Sequence, residues 1–212
     1  MTHTTIIFVR HVETEWNRDH RLQGQTDSPF TATGARQARR LAERLRGAEF
    51  NALYASDIGR AFATARAVAD ATGHEIVVDT RLRERHFGVL EGLTGPEMIE
   101  RHPEVHARFK SLDPDYVVPE GESARQTYTR VIECFEELAL RHRGETVVAV
   151  SHGLVLDALY RHTVGQPLHV PRTLRLVNAS LNFFHRGPHA WRLGELADVA
   201  HLAEDATVFT GP

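Results

Sequence analysis

The chain alternates short apolar runs with longer amphipathic segments. The run from Thr4 to Val9 is rich in β-branched residues and has no polar alternation, which is typical of a strand buried on both faces. Comparable short runs lie at 52–55, 75–78 and 146–150. Each is too short for a stable helix. The pattern therefore predicts four buried strands of a parallel sheet.

Apolar residues at helical spacing predict helices between these strands. Thr31 or Thr33 is positioned to cap the first helix, and Ser56 and Asp57 are positioned to cap the second. In the first helix the apolar residues recur at i, i+3, i+4 and i+7, which gives one face toward a core. The predicted helices span 31–46, 58–71, 123–141 and 154–162.

Strands that alternate with helices through short connections predict an α/β fold. We expect a three-layer α/β/α architecture with a mostly parallel central sheet. Near the end of the chain, 181–185 and 191–196 predict a hairpin around Gly187-Pro188. No repeat or linker interrupts the pattern, so one domain over 1–212 is predicted.

Two segments lack a regular pattern. Residues 13–30 are polar and contain Gly24 and Pro29, which predicts mostly loop. Residues 85–122 are rich in glycine and proline, with one short helix predicted after Pro96. A long, weakly patterned segment of this kind is typical of a lid or a specificity region.

Composition narrows the classes of protein. Of the 212 residues 42% are hydrophobic, and the net charge of −3 without a basic run argues against nucleic-acid binding. The N-terminus lacks a signal-peptide pattern and no stretch reaches membrane-spanning length, so a cytoplasmic protein without membrane contact is predicted. The single cysteine, Cys134, fits a helix core and a reducing compartment. Arginine is abundant and Lys110 is the only lysine, which codon usage alone explains.

Two of the predicted strands deliver a histidine at their C-terminal ends. Arg10-His11 follows the first strand, and Ser151-His152 follows the last parallel strand. The turn before the second helix adds Arg60, and Asn17 lies close enough in sequence to return to His11. Because parallel strands place their carboxyl ends at one edge, these side chains are expected to converge there with helix N-termini. Two arginines and two histidines at one edge predict an anion site, most plausibly for a phosphoryl group.

A metal centre is the competing use of clustered histidines. Such a site normally includes carboxylate or thiolate ligands and excludes cationic neighbours. Arg10 directly precedes His11, which argues against a metal.

Six motifs in sequence order resemble the histidine phosphatase superfamily, in its phosphoglycerate-mutase-like branch. Any one of them is weak, but their order along nearly the whole chain is specific. The motifs are Arg10-His11-Val12-Glu13-Thr14-Glu15-Trp16-Asn17, Leu22-Gln23-Gly24-Gln25-Thr26, Ser56-Asp57-Ile58-Gly59-Arg60, Leu82-Arg83-Glu84-Arg85, Pro119-Glu120-Gly121-Glu122-Ser123 and Ser151-His152-Gly153.

The resemblance implies a role for each matching residue. His11 would be the nucleophile that forms a phosphohistidine, and Glu84 would be the general acid and then the base. The oxygens of the phosphoryl group would be held by Arg10, Arg60, Asn17 and His152. Gln23, Gly24 and Thr26 would contact the substrate. No metal or other cofactor is implied.

Position 12 departs from the family pattern, which usually has glycine after the nucleophile. Valine is costly at positive φ, so Val12 requires either an ordinary extended backbone or an altered pocket. Val12 is the one feature that favours a second alternative, a catalytically impaired protein that only binds a phospholigand.

The main prediction is a metal-independent phosphomonoester hydrolase acting on a small phosphorylated metabolite. The first alternative is a cofactor-dependent phosphoglycerate mutase, which by resemblance carries paired arginines and a lysine between Gly92 and Glu120 to hold the substrate carboxylate. Here that segment offers only Arg101, Arg108 and Lys110, with no adjacent pair. A homodimer is compatible with the sequence, although no segment indicates one.

Overall fold

The computed structural model describes residues 3–202 and 205–207. At its centre lies a sheet in the strand order β3-β2-β4-β1-β5-β6. The strands are β1 (Thr4–Arg10), β2 (Ala52–Ala55), β3 (Ile76–Val78), β4 (Thr146–Ser151), β5 (Leu181–Arg186) and β6 (Trp191–Leu193).

The sheet is mostly parallel, as predicted. Strands β1 to β4 run parallel to one another, and β5 and β6 add an antiparallel hairpin at one edge. Strand β6 ends at Leu193 rather than at Leu196, so the predicted hairpin is shorter than expected.

Alternate residues of β1 pack into two separate hydrophobic cores, one on each face of the sheet. Ile6 and Phe8 pack with helices α6 (Ala124–Arg141) and α7 (Gly153–Val164) on one face. Ile7 and Val9 pack on the other face with α2 (Ala32–Arg46) and α3 (Gly59–Thr72). Because β1 is covered on both faces, its side chains are apolar without alternation. The three-layer architecture is thus confirmed.

The predicted loop at 13–30 contains a short helix, α1 (Glu15–Arg18). Thr14 and Asn17 form a capping box, in which each side chain bonds the backbone of the other. A single turn with polar caps has no hydrophobic period, so the sequence pattern did not reveal it.

The segment 85–122 is more ordered than predicted, because it contains two helices instead of one. Helix α4 (Gly95–Arg101) begins with a capping box between Thr94 and Glu97. Helix α5 (Pro103–Lys110) follows after His102 and again has proline in its first turn. The two prolines that weakened the helical pattern occupy the first turns, where a backbone N–H is not needed.

The predicted cap of the second helix was wrong. Helix α3 begins at Gly59 after Ile58, without a side-chain cap. Ser56 instead accepts a hydrogen bond from the Ile58 backbone N–H at 3.2 Å, and Asp57 forms an ion pair with Arg83. Ser56 thus bonds within the strand-end turn and Asp57 bonds Arg83, so neither side chain caps the helix.

Cys134 is fully buried among apolar side chains of α6, as predicted for a core residue. The single-domain prediction over 1–212 stays a prediction, and its positions 1–2, 203–204 and 208–212 lie outside the described residues. Within the described ranges, the helices are too short or too polar to cross a membrane.

Candidate active site

The two strand-end histidines meet at one edge of the sheet. In the parallel pairing of β1 with β4, Arg10 lies opposite Ser151, so the next residue of each strand emerges at the same height. The rings of His11 and His152 lie 5.4 Å apart, measured between their centroids. Both histidines are buried. The predicted convergence of the strand ends is therefore present in the structure.

The His11 ring is held in one orientation from both sides. Its Nδ1 lies 2.8 Å from the carbonyl oxygen of Val12, and its Nε2 accepts from Arg60 Nε at 3.3 Å. These partners place the proton on Nδ1 and leave a lone pair on Nε2. Burial, followed by the charges of Arg60 and Arg10, holds the pKa of His11 well below its usual value. His11 is thus neutral and nucleophilic at Nε2.

Arg60 connects the nucleophile to the loop after α1. Its guanidinium donates to the carbonyl oxygens of Gly24 at 2.7 Å and Thr26 at 2.8 Å, and it lies 3.3 Å from Asp27. With only 2% of its surface exposed, Arg60 is fixed beside His11. Its cationic group is therefore oriented before any ligand arrives, which is the requirement for electrostatic stabilisation.

Arg10 lies on the other side of the site. It donates to the carbonyl oxygen of Leu176 at 2.9 Å and is 2% exposed. Burial lowers the pKa of Arg10 to about 9, with further lowering by Arg172 and Arg60, while Glu84 acts in the opposite direction. Arg10 remains charged at neutral pH. A dianion would relieve the repulsion between Arg10 and Arg60.

His152 differs from His11 in its hydrogen bonding. Its Nε2 lies 2.8 Å from the hydroxyl of Ser56, and its Nδ1 has no hydrogen-bond partner among the described residues. Because Ser56 already accepts from a backbone N–H, its hydroxyl proton is free to bond Nε2, which places the ring proton of His152 on Nδ1. An unsatisfied buried donor beside the nucleophile fits a phosphoryl oxygen.

The expected positive charge of His152 is absent in the unliganded protein. Burial, then Arg60, His11 and Arg10, hold the pKa of His152 well below its ordinary value. His152 is therefore neutral at neutral pH.

The pKa shifts of the two histidines predict that the unliganded protein loses stability in acid. The unfolded chain binds a proton at each histidine near pH 6.5, whereas the folded protein binds it only at much lower pH. Because the unfolded state then holds more protons, the free energy of unfolding falls as the pH falls below about 6.5. The expected slope is up to about 1.4 kcal/mol per pH unit for each histidine.

Urea unfolding followed between pH 7 and pH 5 measures this slope. The His11→Asn variant removes one of the two titrating groups, so its slope is expected to be shallower. Identical slopes for wild type and variant would contradict the assignment of a low pKa to His11.

Glu84 lies in the same cluster. It is 9% exposed, and its two carboxyl oxygens accept from the backbone N–H groups of Arg85 at 2.8 Å and Leu154 at 3.1 Å. Leu154 lies in the first turn of α7, directly after His152-Gly153, so the helix N-terminus fixes the carboxyl beside the histidines. Glu84 lines the cavity together with His11, so its carboxyl group is placed to exchange a proton with a bound ester.

Three of the four other predicted ligands line the cavity, namely Asn17, Gln23 and Gly24. Asn17 accepts through Oδ1 from Asn178 at 3.2 Å. Gly24 has a φ of +58°, and a Cβ there would lie 2.0 Å from a carboxyl oxygen of Glu91. Only glycine therefore fits that turn.

Thr26 does not reach the cavity wall with the other predicted ligands. Its backbone N–H donates to Glu91 at 2.9 Å, and its hydroxyl donates to the same carboxyl oxygen. Thr26 is exposed, and its carbonyl oxygen receives Arg60. Substrate contact by Thr26 stays a prediction, and what the structure shows is a loop anchor.

Val12 is accommodated without strain. Its φ is not among the positive values found in the described residues, and the side chain is fully buried against Ala38, Ala179 and Leu202. Its backbone N–H lies 3.3 Å from the Thr64 hydroxyl. The ordinary backbone leaves the pocket intact, so Val12 no longer favours an impaired protein.

The strand-end cluster opens into a cavity of about 420 Å³. The segment 85–122 forms much of its outer wall, through Phe87, Phe109, Leu112 and Tyr116. This position agrees with a lid or specificity region, and that role stays a prediction.

Sequence reasoning missed four of the cations that line this cavity, namely Arg21, Arg85, Arg161 and Arg172. Arg85 is buried and its guanidinium lies 5.4 Å from the Phe87 ring centre and 5.7 Å from that of Phe109. Burial lowers the pKa of Arg85 to about 10. The sequence signal that could have revealed Arg85 is its position directly after Glu84 in the fourth motif.

Metal-binding side chains do not gather in the described part of the chain, where no group of three or more histidine, cysteine or carboxylate residues has a suitable arrangement. The cations Arg10 and Arg60 occupy the positions beside His11.

Comparison with known proteins agrees with the motifs. The family model of the histidine phosphatase superfamily (branch 1) matches residues 6–199. The metal-independent phosphoserine phosphatase of Arabidopsis thaliana is 38% identical over 203 residues, covering 94% of this chain and 84% of its own. "Probable phosphoglycerate mutase GpmB" of Enterobacter sp. (strain 638) is 36% identical over 202 residues, covering 93% and 94%.

Solved structures share the fold over nearly the whole chain. YhfR of Bacillus stearothermophilus superimposes with a TM-score of 0.85 at 34% identity, covering 94% of this chain and 99% of its own. Mycobacterial glucosyl-3-phosphoglycerate phosphatase superimposes with a TM-score of 0.77 at 28% identity, covering 93% and 99%. The chain belongs to the histidine phosphatase superfamily.

Proposed function

We propose that this protein hydrolyses phosphomonoesters of small metabolites through a phosphohistidine, without a metal or other cofactor. The observation that carries the proposal is the environment of His11. Its Nε2 lone pair lies at the cavity beside Arg60, while Val12 fixes the proton on the other ring nitrogen. A neutral, oriented imidazole between buried cations is the arrangement that phosphoryl transfer to nitrogen requires.

The reaction proceeds in two balanced steps. His11 Nε2 bonds to phosphorus while the bond from phosphorus to the ester oxygen breaks, and Glu84 gives its proton to the departing oxygen. Water then attacks the phosphohistidine, Glu84 takes up a proton from that water, and the bond from phosphorus to Nε2 breaks. Inorganic phosphate leaves and His11 is regenerated. Arg10 and Arg60, which line the cavity, stabilise the equatorial oxygens in both steps. His152 lies behind His11 rather than at the cavity wall, so its contact with a phosphoryl oxygen requires a shift of its ring and stays a prediction.

The segment between Gly92 and Glu120 lacks the adjacent pair of arginines that the resemblance associates with a mutase. Arg101 and Arg108 are exposed and do not line the cavity, and Arg108 lies against the ring of Tyr116 instead. Among the described residues of that segment, Lys110 is the one cation that lines the cavity, together with Phe109, Leu112 and Tyr116. The absence of a paired carboxylate clamp favours hydrolysis over mutase chemistry.

Similarity in sequence keeps the mutase as the alternative, since several relatives are named probable phosphoglycerate mutase and another is named a metal-independent phosphoserine phosphatase. Cytoplasmic location, the homodimer and the exclusion of nucleic-acid and membrane partners stay predictions.

Two assays separate these reactions. Wild-type protein is expected to release phosphate from p-nitrophenyl phosphate at a rate that excess chelator leaves unchanged. With 3-phosphoglycerate and bisphosphoglycerate priming, we expect phosphate release without accumulation of 2-phosphoglycerate. Interconversion that outruns phosphate release would establish the mutase, and loss of activity in chelator that zinc restores would overturn metal independence.

A further inference from the structure

A buried carboxyl group in the cavity wall has one unsatisfied oxygen. Asp157 on α7 is 8% exposed, and its Oδ2 accepts from Arg161 Nε at 2.7 Å. Its Oδ1 has no hydrogen-bond partner in the described part of the chain. Buried carboxylate oxygens are normally paired, so an unpaired one beside a cavity indicates where a ligand donor fits.

Asp157 lies one helical turn beyond the phosphoryl site. Helix α7 begins at Gly153, and both Gly153 and Leu154 line the cavity together with Asp157. Residues four apart share a helix face and are about 6 Å apart along the axis. Asp157 is thus at the depth that the alcohol portion of a bound ester would occupy, a few bonds from the phosphorus.

A small side pocket of about 50 Å³ adjoins the main cavity at this carboxyl group. It lies between α6 and α7 and is lined by Asp157, Ala124, Tyr128 and Ala158. Arg85 and Leu154 line both cavities, so the two spaces are neighbours. The side pocket has room for one small polar group, because a cavity of only about 10–15 Å³ already holds a single water molecule.

The charges around Asp157 decide which donor fits. Arg161 and Arg172 act on the carboxyl group electrostatically, and Arg85 lines the same side pocket. Three cations around one carboxylate disfavour a positively charged ligand group. A neutral hydroxyl donates to Oδ1 without that repulsion.

We propose that Asp157 and the side pocket bind a hydroxyl group on the alcohol portion of the substrate, with Asp157 Oδ1 as the acceptor. The substrate class is then the phosphate monoester of an alcohol that carries at least one further hydroxyl group. The inference rests on the proposed function for the reaction and adds the substrate class.

Three esters of equal length test the inference on the wild-type protein. They are butyl phosphate, 4-hydroxybutyl phosphate and 4-aminobutyl phosphate. Hydrogen bonds to a charged group are worth roughly a 10-fold preference or more, so kcat/KM for the hydroxyl ester is expected to exceed that for butyl phosphate by about that factor. Equal values would overturn the subsite, and a preference for the amino ester would overturn the hydroxyl assignment.

Two substitutions test whether Asp157 is the acceptor. Asp157→Asn keeps an oxygen for Arg161 but removes the charge, and Asp157→Leu removes the acceptor altogether. Arg161 retains the carbonyl oxygens of Pro167 and Val170 in both variants. The preference for the hydroxyl ester is expected to fall to within about 3-fold in Asp157→Asn and to vanish in Asp157→Leu. Asp70→Asn, on the exposed face of α3, is the matched control and keeps the wild-type preference.

Binding measurements separate this inference from the proposed function. Calorimetry with the His11→Ala variant compares the affinities of butyl phosphate and 4-hydroxybutyl phosphate without turnover. If wild type releases phosphate from neither ester, the proposed hydrolysis is refuted. Tighter binding of 4-hydroxybutyl phosphate than of butyl phosphate would still support the subsite in that case. Equal affinities in calorimetry, or an unchanged preference in folded Asp157→Leu, would overturn the subsite.

Discussion

The His11→Ala variant is expected to lose phosphatase activity by at least about 10³-fold, because it removes the imidazole nitrogen that would bond to phosphorus. His152 cannot replace it. Its Nε2 is bonded to Ser56 and its ring does not line the cavity, whereas His11 does. Initial rates with p-nitrophenyl phosphate measure the loss, and a thermal melt shows whether the variant is folded.

A covalent intermediate provides the second measurement for His11. Alkaline denaturation during turnover is expected to trap a phosphoryl group on the wild-type chain and none on His11→Ala. His189→Ala, in the exposed hairpin turn, is the matched control and should retain full activity and labelling. If His11→Ala keeps activity within about 10-fold of wild type, the nucleophile is misassigned.

The Glu84→Gln variant is expected to discriminate between esters by their leaving groups. An alkyl alcohol needs a proton as it departs, so the loss with butyl phosphate should be about 10²–10⁴-fold. Nitrophenolate departs without a proton, and its ester should lose less than about 10-fold. The carboxyl group of Glu84 is held by the backbone N–H groups of Arg85 and Leu154, which fixes its distance from the ester oxygen.

Glu100→Gln, exposed on α4, is the control and should affect neither ester. An equal loss with both esters would indicate a structural role for Glu84, and no loss with butyl phosphate would remove it as the acid.

The strand-end residues were predictable because their placement is a local property. An apolar run of a few residues specifies a buried strand, and parallel pairing brings the residue after each strand to one edge. Arg10, His11 and His152 therefore appeared together without knowledge of the tertiary contacts. Arg60 followed from its position at the start of the next helix.

Other parts of the site depend on contacts between distant segments. Arg85 enters the cavity because α5 brings Phe109 against it, and proline-containing helices of this length have a weak periodic signal. Serine is a common helix cap, yet Ser56 bonds His152, which follows β4 and lies 96 residues later in the chain. Thr26 anchors its loop by donating to Glu91, and no spacing in the sequence indicates that these two residues meet.

By itself, the sequence determined the α/β fold, the mostly parallel sheet and the chemistry at the strand ends, because hydrophobic period and strand-end position are local. The tertiary structure decided the protonation state of that chemistry. Burial keeps His11 and His152 neutral, Val12 selects the His11 tautomer, and helix α7 places Asp157 in the cavity wall. These features arise only when distant elements pack together and exclude water from the groups they surround.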